Sequence, residues 1–209
     1  GIDCSDPEGA GTVVHVAADG RYLGCILLAD APKPRAAEAI AAVRALGARP
    51  VMLTGDSERA AALTAGELGL TDYRAGLLPG GKVEALEELM SEAGGSVAFV
   101  GDGVNDAPVL ARADVGVAMG ALGSDAAIEA ADVVIMDDDP GKLPLAIRLS
   151  RRCLGIVRQN IAFALIVKLA FLALGALGLV GMTLAVFADV GVMVLAVLNS
   201  LRTLKVRAL

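Results

Sequence analysis

The octapeptide GDGVNDAP at residues 101–108 carries side chains suited to binding a metal-bound phosphate. It follows the apolar run 96–100, which predicts a buried strand, so Asp102, Asn105 and Asp106 are expected on a glycine-broken turn at the strand's carboxyl end. The two aspartates supply the hard oxygen ligands that Mg²⁺ prefers, and Asn105 adds a neutral donor for a phosphoryl oxygen. A solvated turn is the alternative, although a turn alone does not require this order of residues.

Two further segments place polar groups at the ends of elements. Thr54-Gly55-Asp56 follows a predicted strand that ends at Leu53, so the Thr54 hydroxyl and nearby backbone N–H groups can hold a phosphate at the start of the next helix. A simple helix cap is the alternative. Lys82 is expected to begin a helix, where a cation opposes the helix dipole. Neutralising a phosphoryl group would explain that position, and a solvated lysine is the alternative.

These segments lie within alternating strand-like and helix-like patterns over the first 150 residues or so. Strands are predicted at 12–17, 22–28, 50–53, 96–100, 115–119 and 132–136, and helices at 36–46, 58–68 and 82–90. Repeated β-then-α units favour an α/β fold, a doubly wound parallel sheet covered by helices on both faces, with ligands at the carboxyl ends of its strands.

The rest of the chain is predicted to cross a membrane twice. The whole chain is 56% hydrophobic, and the segments 159–180 and 184–201 are almost wholly apolar. The first is long enough for a bilayer core and the second barely so. Basic residues flank both outer ends, whereas the turn 181–183 has no charge; they are Arg148, Arg151, Arg152, Arg158, Arg202, Lys205 and Arg207. This predicts a helical hairpin with both ends in the cytoplasm. Two buried helices of a soluble domain are the alternative.

One acid and one base interrupt the apolar segments, Asp189 and Lys168. A charged group in hydrocarbon costs roughly 2.5 to 3.5 kcal/mol on insertion scales, so each is expected to have a function. Asp189 is a ligand suited to Zn²⁺, whereas copper(I) prefers sulfur, and Lys168 can serve as the counter-ion. Counting from the turn predicts that Asp189 lies about 8 Å shallower than Lys168. A structural ion pair, or a lysine that reaches the interface, is the alternative.

Charge and cysteine content exclude other classes of function. The net charge is −6 and the basic residues are grouped near the apolar segments, so no nucleic-acid partner is expected. The three cysteines, Cys4, Cys25 and Cys153, are far apart and are expected to be reduced thiols. The three acids at 137–139 follow an apolar run, and we expect a polar loop there instead of a nucleophile. Residue 1 is Gly, so the chain is expected to be part of a longer protein.

Taken together, MLTGD at 52–56, LLPGGK at 77–82 and VGDGVNDAP at 100–108 resemble the phosphorylation domain of P-type ATPases, a branch of the haloacid dehalogenase superfamily. QNIAFALIVK at 159–168, with ADVG and NSLR between 188 and 202, resembles the last two spans of the zinc, cadmium and lead class. The resemblance implies an ATP- and Mg²⁺-dependent exporter of Zn²⁺, Cd²⁺ or Pb²⁺. It implies catalytic roles for Thr54, Gly55, Asp56, Lys82 and Asn105, Mg²⁺ on Asp102 and Asp106, and a transport site at Asp189 with Lys168 as counter-ion.

The same resemblance implies a domain organisation. Residues 1–28 would be the tail of a nucleotide-binding domain with hinge strands, 29–147 the phosphorylation domain, and 148–209 a membrane-linked helix with two spans in a plasma or inner membrane, in contact with lipid. The sequence lacks the D-K-T-G-T motif of the phosphorylated aspartate, so the missing N-terminal domains would be partners and the chain alone would be inactive. The D-x-x-R hinge appears at 30–33 with Lys33 in the arginine position. A copper(I) or silver exporter, and a catalytically incomplete membrane-anchored fragment that binds Mg-phosphate, remain alternatives.

Overall fold

The computed structural model describes residues 12–28, 31–101, 106–120 and 125–204. Its contacts divide the chain into two compact units, Gly1–Leu143 and Pro144–Leu209. The strands are β1 (Thr12–Ala18), β2 (Arg21–Leu28), β3 (Met52–Leu53), β4 (Tyr73–Arg74), β5 (Ala98–Gly101), β6 (Val115–Met119) and β7 (Val133–Ile135). The helices are α1 (Ala36–Ala45), α2 (Glu58–Glu67), α3 (Pro79–Glu92), α4 (Ala107–Arg112), α5 (Asp125–Ala130), α6 (Lys142–Ala176) and α7 (Met182–Ser200), and a 3₁₀ turn, Leu201–Leu204, follows α7. The predicted domain boundaries at 28 and 147 stay predictions.

β1 and β2 form the predicted antiparallel hairpin, with Thr12 opposite Leu28. Asp19 and Gly20 connect the strands with φ values of 50° and 73°. Both residues are therefore in the left-handed region, and an Asp-Gly pair tolerates that region in a two-residue hairpin turn better than most pairs.

The remaining strands form parallel ladders, β3 with β4 and β5-β6-β7. Alternate residues of β6 face opposite sides of the sheet, as a strand's period of two requires. Ala118 packs with Leu110 of α4 on one side, and Val117 and Met119 pack near Leu143, in the first turn of α6, on the other. Both faces of β6 are therefore covered, and the predicted α/β class with a parallel sheet is confirmed.

Most predicted elements of the first unit shift by one or two residues at their ends, and two differences are larger. β4 was not predicted, because a strand of two residues leaves no periodic signal. The predicted start of a helix at Lys82 is wrong, since α3 begins at Pro79. Proline is favoured in the first turn of a helix, where its missing N–H has no intrahelical partner to lose, and this outweighs the two glycines that follow it.

The second unit contains most of α6 and all of α7, and both helices are long and apolar enough to cross a membrane. The predicted end of the first span at residue 180 is wrong, because α6 ends at Ala176. Gly178 has a φ of 72°, its N–H donates to the Gly175 carbonyl at 3.0 Å, and the Leu179 N–H donates to Leu174 at 2.9 Å. A left-handed glycine with these bonds terminates a helix, so residues 177–181 form the turn. Cys25 and Cys153 are free thiols, as predicted, and Cys4 lies outside the described residues.

Candidate functional site

The Thr54-Gly55-Asp56 segment forms a closed loop directly after β3. The Thr54 hydroxyl donates to Asp56 Oδ2 at 2.8 Å, and the Asp56 N–H donates back to Thr54 Oγ1 at 3.1 Å. The side chain that caps α2 is Ser57, which accepts from the Ala60 N–H at 3.4 Å. Helix capping therefore does not explain Thr54 or Asp56, and their paired side chains hold the loop at the carboxyl end of the strand.

Backbone hydrogen bonds join this loop to the segment that leads into α3. The Leu77 N–H donates to the Thr54 carbonyl at 3.0 Å, and the Gly76 N–H donates to the Asp56 carbonyl at 2.7 Å. A Cβ at Gly55 would lie 3.2 Å from the Leu77 carbonyl oxygen, so a larger residue would push the two segments apart. The loop and the start of the lysine-bearing helix are thus held side by side.

Lys82, in the first turns of α3, reaches the octapeptide. Its Nζ donates to Asp106 Oδ1 at 2.8 Å, and only 21% of the lysine side chain and 13% of the aspartate side chain are exposed. Asp106 occupies the N-cap position of α4, where a negative charge is favourable. A Cβ on Gly101 would lie 3.0 Å from Asp106 Oδ2, so the glycine allows this close approach. Lys82 is therefore a paired, largely buried cation instead of a solvated lysine.

The predicted Mg²⁺ site is described only at Asp106. Asp102 and Asn105 lie in 102–105, outside the described residues. Within the described ranges there is no group of three or more His, Cys, Asp or Glu side chains that could hold a metal. The donor chemistry of Asp106 fits a hard cation, because it is a carboxylate that lies close to Gly101 at the end of β5, and the prediction rests on Asp102 joining it there.

The three acids at 137–139 pair with cations of the same unit. Asp138 accepts from Lys33 Nζ at 2.6 Å, Asp139 accepts from Arg35 at 3.1 Å, and Asp137 pairs with Lys142. Asp139 also accepts from the Gly141 N–H at 2.9 Å. The expected polar loop before α6 is confirmed, and its carboxylates are already neutralised. Lys33 reaches Asp138 through one nitrogen, as a lysine must, where an arginine offers a bidentate fork.

In the second unit, Lys168 and Asp189 line the same groove of about 700 Å³ between α6 and α7. Lys168 lies eight residues before the end of α6 (176 − 168), and Asp189 seven residues after the start of α7 (189 − 182). These counts place both at about 10 to 12 Å from the turn. The predicted depth difference of 8 Å is wrong, because it assumed that α6 continues to residue 180. The two charges share a level, and no ion pair between them is present in the described part of the chain.

Sequence reasoning missed two groups of residues in these sites. Leu77 contributes through its backbone, which leaves no signal in its side-chain type. Asn160 and Asn199 hydrogen-bond to each other across α6 and α7. The sequence does contain a signal for them, because each apolar segment carries an asparagine at its outer end.

Comparisons with known proteins agree with this geometry. The sequence model of the haloacid dehalogenase-like hydrolase family matches residues 4–114. A protein named zinc-transporting ATPase from Synechocystis is 54% identical over 98% of this chain and 29% of its own length. One from Bacillus subtilis, named cadmium, zinc and cobalt-transporting ATPase, is 52% identical over 96% of this chain and 29% of its own length. The crystal structure of a zinc-transporting PIB-type ATPase in the E2.Pi state matches with a TM-score of 0.83 and 46% identity, over 92% of this chain and 31% of that one.

This chain spans about three-tenths of the length of those relatives. These relatives and the solved structure confirm the resemblance to P-type ATPases of the zinc and cadmium class over nearly all of the chain. Because the family match covers residues 4–114, more than half of the 209 residues, the chain belongs to the haloacid dehalogenase-like hydrolase family.

Proposed function

We propose that this chain is the C-terminal part of an ATP-driven exporter of divalent heavy metals, with Zn²⁺, Cd²⁺ and Pb²⁺ as cargo. The observation that carries the proposal is the placement of Lys168 and Asp189 at one level in one groove between two membrane-length helices. A carboxylate suits a borderline divalent cation, and an adjacent ammonium group would favour release of that cation. The names of the relatives support the same cargo.

In this proposal the first unit handles the phosphoryl group. A carboxylate oxygen of the aspartate in a D-K-T-G-T segment attacks the γ-phosphorus of ATP, a new P–O bond forms, the bond to the β-phosphate oxygen breaks, and ADP leaves. Lys82 and Thr54 would hold the transferred group through their N–H and O–H donors. Asp102 and Asp106 would hold Mg²⁺, which neutralises phosphate charge when bound.

The edges of the parallel ladders support an incoming segment. Among the described residues, β3 pairs only with β4, and β5 pairs only with β6. Each strand therefore has one open edge, and each is followed by a phosphate-handling segment. The bonds from Thr54 to Leu77 and from Lys82 to Asp106 link these two segments. A strand inserted between β3 and β5 would deliver its terminal aspartate between them.

Sequencing of the gene upstream of this chain tests this part of the proposal. A segment that encodes D-K-T-G-T is expected there, in the same reading frame. Its absence there would leave a membrane-anchored protein that binds Mg-phosphate without turnover.

We further propose that α6 and α7 span the plasma or inner membrane, with lipid around their exposed apolar side chains and with both outer ends in the cytoplasm. Large apolar side chains are exposed along both helices, among them Leu165, Ile166, Leu169, Phe187 and Val194. Residues 140–209 contain nine basic residues and one acid, Asp189, and eight of the nine lie outside the turn and the groove. This distribution favours retention of the flanks on the cytoplasmic side.

Cysteine labelling tests the orientation. A single cysteine at Thr183, at the start of α7 next to the turn, is expected to react with a membrane-impermeant maleimide added to intact cells. A cysteine at Ser150, on the flank of α6, is the matched control and is expected to react only after the membrane is opened. The reverse pattern would show an inverted hairpin, and reaction of both from outside would show that the pair does not span.

A further inference from the structure

A polar cluster joins α6 to α7 at the ends opposite the turn. The Asn160 amide donates to the Ala196 carbonyl at 3.1 Å and to Ser200 Oγ at 3.0 Å. Its oxygen accepts from the Asn199 amide at 2.8 Å. Ser200 Oγ in turn donates to the Ala196 carbonyl at 2.9 Å, and Asn199 Oδ1 accepts from Arg202 at 3.0 Å. Three hydrogen bonds thus cross between helices whose partners are 36 to 40 residues apart.

This cluster fixes the relative height of the two helices. Eight residues separate Asn160 from Lys168, about 12 Å along α6, and ten residues separate Asn199 from Asp189, about 15 Å along α7. The helices are antiparallel, so both distances run from the cluster toward the turn. Lys168 and Asp189 are therefore brought to within about 3 Å of the same level.

The cluster also fixes the direction in which the two charges point. An α-helix turns by about 100° per residue. Going from the cluster toward the turn, eight residues rotate the facing direction of α6 by about 80° in one sense, and ten residues rotate that of α7 by about 80° in the opposite sense. Side chains that start face to face at the cluster consequently emerge on the same side of the hairpin. The groove lined by both Lys168 and Asp189 lies on that side.

We propose that Asn160, Asn199 and Ser200 form a positioning lock that sets the height and direction of Lys168 and Asp189. The lock itself is argued from hydrogen bonds and helix geometry. Only its effect on the affinity of the groove for a divalent metal rests on the proposed function. Where water is scarce, a half-buried amide that loses its partners has few alternatives, so the lock favours one register of the two helices.

The variant Asn160→Leu tests the lock in the full-length protein, because leucine keeps a similar size and removes all the hydrogen bonds of the amide. The matched control is Gln159→Leu, which makes the same kind of change at the neighbouring, exposed position. The first readout needs no transport activity. Cysteines replace Lys168 and Asp189 in a background without other cysteines, and the yield of a short bifunctional cross-link between them is measured. Asn160→Leu is expected to lower the yield severalfold, and Gln159→Leu to leave it unchanged.

The second readout is equilibrium binding of Zn²⁺ to purified protein that retains Lys168 and Asp189. Asn160→Leu is expected to weaken binding by roughly 10- to 30-fold with unchanged stoichiometry, the fold-change that corresponds to the loss of three interhelical hydrogen bonds. An unchanged cross-linking yield would overturn the lock, whatever the protein transports. A loss of stoichiometry would overturn it as well, since Asn160 would then be a ligand. If the unaltered protein binds no Zn²⁺ while the cross-link still depends on Asn160, the proposed function fails and the lock stands.

Discussion

Asp189→Asn is expected to lower zinc-stimulated ATP hydrolysis by the full-length protein by more than about 100-fold. Residues that only hydrogen-bond to a metal ligand typically cost about 10- to 100-fold when they are replaced, and loss of the ligand itself is expected to cost more. An amide is neutral and binds a divalent cation more weakly than a carboxylate does. Formation of the phosphoenzyme from inorganic phosphate is expected to remain, since that step uses the first unit. Hydrolysis and phosphorylation are both measured on purified protein.

The double variant Asp189→Asn, Lys168→Met separates a ligand from a structural partner. If the two residues serve only to neutralise each other, Asp189→Asn strands the lysine charge in the groove, and the double variant should restore both yield and zinc binding. If Asp189 is a ligand, the double variant restores at most the yield, and zinc binding stays lost. Full-affinity zinc binding by Asp189→Asn alone would refute the ligand assignment.

Lys82→Met is expected to reduce phosphoenzyme formation from ATP by about 100- to 1,000-fold, the cost of removing one donor from a developing phosphoryl charge. The measurement is the amount of acid-stable phosphate incorporated from γ-labelled ATP in the presence of zinc. Lys82 lies 2.8 Å from Asp106 with only 21% of its side chain exposed, so the charge sits where screening by water is weak.

Arg112→Gln is the matched control for Lys82→Met. Arg112 ends α4 and pairs with Glu87 of α3, so this ion pair joins the same two helices as Lys82 and Asp106, but with about half of each side chain exposed. An exposed pair contributes little to stability, and the variant is expected to phosphorylate normally. Equal losses in the two variants would show that Lys82 acts only by holding α3 to α4.

Much of the fold follows from local signals that the structure confirms. The β1–β2 hairpin is encoded by Asp19-Gly20, and β6 by an uninterrupted run of five residues without a polar side chain, Val115–Met119. A strand as short as β4 gives no hydrophobic pattern in the sequence, because its position depends on pairing with β3. The start of α3 at Pro79 depends on a proline whose role as a first helical residue competes with its role in turns.

The candidate sites likewise contain some features that the sequence predicts and others that only the structure shows. The residue types of Lys82, Lys168 and Asp189 marked them as chemically unusual, since cations at a helix start and charges in apolar segments need a reason. The side chains that they contact, and their depth along the helices, could be seen only in the structure. The pairing of Lys82 with Asp106 spans 24 residues, and the level shared by Lys168 and Asp189 depends on where Gly178 ends α6. A shift of four residues in that one helix end was enough to produce the wrong depth.

Stimulation of ATP hydrolysis by different metals tests the central claim most directly. The purified full-length protein is assayed with Zn²⁺, Cd²⁺ and Pb²⁺, and in parallel with copper(I) and silver(I) under reducing conditions. Because the described groove presents a carboxylate and an ammonium group from Asp189 and Lys168, the three divalent ions are expected to stimulate turnover and the two monovalent ions to have no effect. Stimulation by copper(I) or silver(I) alone, or no metal-dependent turnover at all, would contradict the account.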